Sequence, residues 1–171
     1  MSLNSRTPDI IHSLVMGLTT EFDTSSPILL CNRTGICLHR HELSERFNAY
    51  YCRVGTTRNI VVSDGVSDEE LRFLIAHEIG HDQLHRNQDL FFDKKPFSML
   101  RSTLEYEANL FASELLLDDD EILELLASEE YDLLQMARML YVDEALLDFK
   151  IFSLKQRGYD VEPIYIYCNK F

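Results

Sequence analysis

The stretch HEIGH, His77 to His81, sets two imidazoles four residues apart with a carboxylate directly after the first. On an α-helix, positions i and i+4 stand one turn apart on the same face, so His77 and His81 can aim ring nitrogens at one point. Two converging nitrogens are half of a tetrahedral zinc shell. Glu78 comes one position later and points beside that spot rather than at it, where a carboxylate can act as general base towards water. A zinc ion lowers the pKa of a bound water from ~15.7 towards ~7, so the pattern is that of a hydrolytic centre with Glu78 as its catalytic residue. The bland alternative is a pair of histidines that fell in phase on an amphipathic helix. Helix, cap and apolar face all agree with the metal reading.

His85 is in phase too, one turn beyond His81. One ion cannot sit against three successive turns of a straight helix, so His85 is expected to support a ligand or lie at the surface. The metzincin pattern requires a histidine six residues beyond the second ligand. Asn87 stands there, which excludes that class.

A catalytic zinc takes three protein ligands and keeps one position open. The stretch LEYEANLFASELLL, Leu104 to Leu117, offers Glu105 as the leading third ligand. Asn109 shares its face and is placed to hydrogen-bond a ligand histidine, the support such sites need. Glu107 lies roughly 200° round the helical wheel from Glu105, so only one of the two can face the ion. Glu105 has its own bland alternative, because Ser102 and Glu105 fit a capping box. Glu107, His39 and His41 stay open as third ligands, the two histidines reading as ordinary polar residues on a strand-like segment.

Several elements must position these residues. Ser67 and Glu70 form a capping box before Leu71, Leu74, Ile75 and Ile79, which predicts a helix from Ser67 to His85 or Arg86. Gly80 has no side chain and lets another element come close. A second helix is predicted over Ser102 to Leu117. Upstream, Thr7 and Pro8 open a helix with a stripe of Ile10, Ile11, Leu14, Val15 and Leu18. SSPILLCNRTGICLHR reads as a turn followed by short strands or irregular chain. NAYYCRVGTTRNIVVSDG reads as a hairpin, with strands Tyr50–Val54 and Asn59–Ser63 around Gly-Thr-Thr-Arg. NQDLFFDKKPFSML reads as a linker or flap, because Pro96 forbids a continuous helix. Asp118 to Asp120 should end the second helix and cap the next. Helices follow around Glu121–Ala127, Glu130–Tyr141 and Glu144–Arg157, stopped by Gly158. PIYIYC alternates like a last strand.

The chain has 171 residues and a net charge of −13. That balance argues against a nucleic-acid-binding surface and suits a basic protein partner. Cys31, Cys37, Cys52 and Cys168 form no C-x-x-C pair and are expected as free, buried thiols. No signal peptide is apparent and no apolar run nears the ~20 residues of a membrane helix, so a cytoplasmic protein is expected.

HEIGH followed by EYEANLFASELLL resembles the ImmA/IrrE family of metallopeptidases. In that family a zinc-binding H-E-x-x-H helix precedes a helix patterned E-x-x-A-N-x-F-A-x-x-L-L. Here the second pattern is met by Glu105, Ala108, Asn109, Phe111, Ala112, Leu115 and Leu116. The resemblance covers Val54 to Leu117. It implies His77, His81 and Glu105 as metal ligands, Glu78 as general base, and one Zn2+ ion, with Mn2+ or another divalent ion also compatible with the donors. The fold class expected is α+β: a mostly helical, zincin-like core with a small antiparallel sheet or hairpin. Residues 1–117 would form the metallopeptidase core. Residues 118–171 would form a C-terminal helical region packed on it as one compact unit. The family's frequent Met-Pro step after the second helix is replaced by Leu117-Asp118, which changes the helix end.

The resemblance further implies a function: site-specific cleavage of a helix-turn-helix transcriptional repressor, as an anti-repressor of a phage or mobile element. The alternative is a non-cleaving module that sequesters the repressor with the same metal fold. From Asp118 to Lys150 acids greatly outnumber bases, so this region is expected to pack or to recognise a partner rather than bind DNA. Tyr50, Tyr51 or His85 could supply the second oxyanion donor. The hairpin could offer an edge strand to an extended substrate, or simply pack the core.

Overall fold

The computed structural model describes residues 6–43, 48–86 and 99–162. Much of Asn87–Leu100, expected as a linker or flap, and the PIYIYC segment lie outside them. The chain enters helix α1 (Pro8–Glu21), which buries Ile11, Val15 and Leu18 of the expected stripe. Helix α2 (Pro27–Thr34) takes the first part of the stretch expected as a turn with short strands or irregular chain, and only its end, from Ile36, is strand. Its bracket is Pro27 in the first turn and Gly35 at φ 75, a left-handed stop that glycine adopts without a Cβ clash.

Strands β1 (Ile36–His41), β2 (Ala49–Val54) and β3 (Thr57–Ser63) form one sheet in the order β1-β3-β2. β1 pairs with β3 in parallel, and β2 pairs with β3 antiparallel, so the sheet is mixed. The hairpin turn is tighter than expected. Val54 pairs with Thr57, leaving only Gly55 and Thr56 between the strands. Gly55 has φ 61, as the first central residue of a type II′ turn requires. Cys37 faces outward on β1 and Cys52 is half-buried, so only Cys31 among the described cysteines is a buried thiol.

Helix α3 (Asp68–Leu84) begins where the cap predicts, with the Glu70 N–H donating to the Ser67 hydroxyl at 3.2 Å. The Glu70 carboxylate does not return to Ser67; it accepts from Asn48 Nδ2 at 2.7 Å, tying the helix start to the chain leading into β2. Helix α4 (Met99–Leu116) starts three residues before Ser102. Ser102 therefore lies inside the helix, and the capping-box explanation of Glu105 fails.

Helices α5 (Asp119–Ser128), α6 (Leu133–Met139) and α7 (Glu144–Gln156) follow, each opened by an aspartate cap: Asp118, Asp132 and Asp143. Asp132 and Gln135 form a full capping box. Residues Glu130 to Asp132 and Leu140 to Tyr141, expected as helix, lie outside α6. The core is continuous from α1 to α7 and includes Ile11, Leu30, Ile60, Ile75, Ile79, Phe111, Leu147 and Ile151. Each such side chain contributes about 1.5–3 kcal/mol on burial. The architecture is α+β, with α3 and α4 packed side by side between the sheet and the C-terminal helices.

Candidate metal centre

The closeness of α3 and α4 has a local cause. A Cβ built on Gly80 would stand 3.1 Å from Ala108 Cα and 3.1 Å from Phe111 Cβ. Glycine on α3 and alanine on α4 thus let the two backbones approach where His77, His81 and Glu105 must meet. His77 Nε2 and His81 Nε2 lie 3.0 Å apart. Glu105 Oε2 stands 3.3 Å from the first and 3.8 Å from the second.

This triangle fits a divalent ion. Donors held tetrahedrally at ~2.0–2.1 Å stand roughly 3.3–3.4 Å from one another, and the three observed edges bracket that spacing. The imidazoles are largely buried, whereas the Glu105 side chain is 43% exposed, so the centre opens to solvent on the α4 side. His77 Nδ1 donates to Asn109 Oδ1 at 2.9 Å once its Nε2 lone pair faces the triangle. That is the contact expected of Asn109, and the Phe73 ring packs against the same imidazole.

The electrostatics match the geometry. Burial opposes charge on His81, and the neighbouring His77 and His85 reinforce this, so its pKa lies below the ordinary value despite Glu105. Burial opposes charge on His77 as well, but Glu105 and Glu78 outweigh it and lift its pKa. Burial raises the Glu105 carboxyl, yet the adjoining His77 and His81 imidazoles hold it far below the usual carboxylate range. Glu78 is 7% exposed, and burial pushes its carboxyl up to about 7, with Glu105 adding to the rise and His77 opposing it. The Tyr51 backbone also opposes the rise, which places β2, the outer strand of the sheet among the described residues, beside this group.

Other candidates fall elsewhere. Glu107 faces away from the triangle and pairs with His85 Nε2 at 2.9 Å and with Arg6. His39 and His41 sit on exposed β1, His39 bonding Asn59 at 3.1 Å. His85 is 2% exposed and uses both ring nitrogens within the protein, and the Tyr51 hydroxyl is turned to Asp82. Neither is placed to meet an oxyanion. A second group of donors, His12, Glu114 and Asp119, is already neutralised: Lys150 Nζ lies 2.8 Å from Glu114 and 2.5 Å from Asp119, and Arg157 grips Asp119 with two bonds of 2.7 Å. It is an ion network linking α1, α4, α5 and α7. Sequence reading missed this network, since its members lie on four separate elements.

A cleft of about 700 Å³ lies beside the centre. Phe73 and Asn109, both in contact with His77, line it, together with Arg138 of α6, Tyr141 just beyond it and Phe149 of α7. Its size is that of a ligand-binding cleft. No helix among the described residues is long and apolar enough to cross a membrane.

A helix pair presenting two histidines and a glutamate beside a buried carboxylate is the arrangement of a metal-dependent hydrolase. The IrrE N-terminal-like domain, peptidase family M78, matches residues 31–152. The chain therefore belongs to the ImmA/IrrE metallopeptidase family. It is 31% identical over 120 residues to "Uncharacterized immunity region protein 2" of Bacillus phage phi105, a match covering 70% of this chain and 76% of that one. It is 36% identical over 84 residues to "Metallopeptidase ImmA" of Bacillus subtilis, covering 48% of this chain and 50% of ImmA. A solved structure, a Mycobacterium tuberculosis transcriptional regulator, shares the fold with a TM-score of 0.63 at 19% identity, over 88% of this chain and 49% of the other. The chain thus spans about half the length of ImmA and of that regulator.

Proposed function

We propose that this chain is a cytoplasmic zinc-dependent peptidase that cuts a helix-turn-helix transcriptional repressor at a specific bond. The observation that carries the reading is the triangle of His77, His81 and Glu105, whose edges of 3.0, 3.3 and 3.8 Å suit one ion. A divalent ion bound there would supply Lewis acidity towards a carbonyl and an acidified water. The chain's own residues do the rest. Glu78, buried beside His77, takes the proton of the attacking water and returns it to the leaving amine. Asn109 holds the His77 ring in place through Nδ1. Strand β2, at the edge of the sheet among the described residues, can align an extended substrate by backbone hydrogen bonds, and the cleft lined by Phe73, Tyr141 and Phe149 can take its side chains.

The repressor as substrate is supported by the names of the relatives, a metallopeptidase and an immunity region protein. It is also supported by the net charge of −13, which suits a basic, DNA-binding partner. Against the sequestering module stands Glu78: a buried carboxyl costs stability and has no purpose in a pure binder. The test is co-incubation of the zinc-loaded protein with helix-turn-helix repressors encoded beside it, with mass mapping of fragments. One defined cut is expected. Glu78→Gln should lose it by roughly 100-fold or more while keeping its zinc. Full derepression by Glu78→Gln in cells would instead establish the sequestering module.

A further inference from the structure

The two histidines of the triangle are backed in different ways. His77 rests on a neutral amide, Asn109. His81 rests on a chain that ends in a carboxylate: His81 Nδ1 lies 3.0 Å from His85 Nδ1, and His85 Nε2 lies 2.9 Å from Glu107 Oε2. Glu107 is held in turn by the Arg6 backbone N–H at 2.6 Å and the Arg6 guanidinium at 2.7 Å. We propose that Arg6, Glu107 and His85 form a positioning chain that fixes the His81 imidazole for ion binding and ties the affinity of the centre to the segment ahead of α1. The inference rests on reading the centre as metal-binding.

The directions of these bonds are forced. His81 turns Nε2 into the triangle, and to bind an ion there it must present its lone pair and carry its proton on Nδ1. The His81 Nδ1–H can then only donate to His85 Nδ1, which must accept. A neutral imidazole accepting at Nδ1 carries its proton on Nε2, which donates to Glu107. With the His81 lone pair in the triangle, this arrangement of protons satisfies every atom of the chain with both imidazoles neutral. His85 and Glu107 are each 2% exposed, so water does not compete for these contacts. A carboxylate behind a ligand histidine orients the ring and raises its basicity. A purely structural Glu107–Arg6 pair would fasten α4 to the chain entering α1 without His85 between it and the centre.

The test is zinc affinity, by chelator competition on the full chain, for Glu107→Gln, Arg6→Ala, His85→Phe and His85→Gln. Glu107→Gln and His85→Phe are expected to weaken zinc binding by about 10–100-fold. Arg6→Ala should weaken it less. His85→Gln should recover part of the loss, because its amide oxygen can still accept from His81 Nδ1. Nitrogen-15 NMR of the zinc-loaded protein should show His81 protonated at Nδ1. If His85→Phe fails to fold, Glu107→Gln and Arg6→Ala decide the matter alone. Variants that bind zinc as tightly as the wild type would overturn the chain and leave the metal centre standing. A wild-type protein that binds no zinc would overturn both.

Discussion

Gly80 of α3 faces the backbone of Ala108 of α4 so closely that an added Cβ would lie 3.1 Å from the Ala108 Cα. Gly80 sits one residue before His81, and Ala108 one residue before Asn109. The spacing of the two helices therefore sets the spacing of the donors. Gly80→Ala should push the helices apart by a few tenths of an ångström, since the opposing atom is backbone and cannot swing away. Overpacking of this kind costs about 1–3 kcal/mol. A glycine replaced inside a helix returns about 1 kcal/mol. A net loss on the order of 1 kcal/mol is expected in denaturant unfolding, together with weaker zinc binding. Unchanged affinity in the variant would show that the contact does not govern the donor geometry.

What the residues revealed in advance was mostly local. The Ser67 cap, the apolar face of α3 and the His77–His81 pair follow from a period of 3.6, and all three lie within eighteen residues of chain. The helical wheel showed that Glu105 and Glu107 point apart, yet nothing local said which faced the histidines. The seating of α4 against Gly80 decides it. Helix α2 was misread because ILLC is too short to separate a helical from a strand period, although Pro27 and Gly35 bracket it. The role of Arg6 had no signal at all, lying 101 residues from Glu107 in sequence.

The ion network at the C-terminal helices predicts an acid-dependent loss of stability. Burial alone would raise the Asp119 pKa, but Arg157 and Lys150 outweigh it and hold the carboxyl at about 2, below the ordinary 3.8. A carboxyl depressed by folding adds stability above its unfolded pKa and loses it as pH falls through the folded value. Asp119 is only 20% exposed, so screening is modest. Asp119→Asn should cost on the order of 1–2 kcal/mol at pH 7. The gap between variant and wild type should close between about pH 4 and pH 2 in unfolding titrations. A gap that persists at pH 2 would show that Asp119 acts by shape rather than charge.

Lys150 is 1% exposed, and its Nζ lies 2.8 Å from Glu114, whose side chain is fully buried. Lys150→Met removes the nearest cation and leaves that carboxylate with His12 and a more distant Arg157. Breaking a buried pair from one side costs about 3–5 kcal/mol. Adding Glu114→Gln removes the stranded charge, so the double variant should regain most of the loss. Chemical denaturation of the two singles and the double measures the coupling. Additive losses would mean that the pair does not act as a unit.

Tyr141 closes α6 with φ 55, a left-handed conformation that costs a residue with a side chain roughly 1–2 kcal/mol. Its N–H donates to Arg138, and Val142 N–H reaches back to Ala137, so the strained residue is a helix stop where glycine would serve better. Tyr141 is nonetheless 68% exposed and lines the cleft beside the centre, so the ring is not held there by core packing. Glycine relieves the strain but costs about 0.4–1 kcal/mol by freeing the unfolded chain. Tyr141→Gly should therefore unfold at the same or slightly higher denaturant concentration than the wild type. If the ring grips substrate at the cleft, the KM for repressor cleavage should rise several-fold with little change in zinc affinity. A variant that is stabler and cuts equally well would remove Tyr141 from substrate recognition and leave its strain without a functional counterpart.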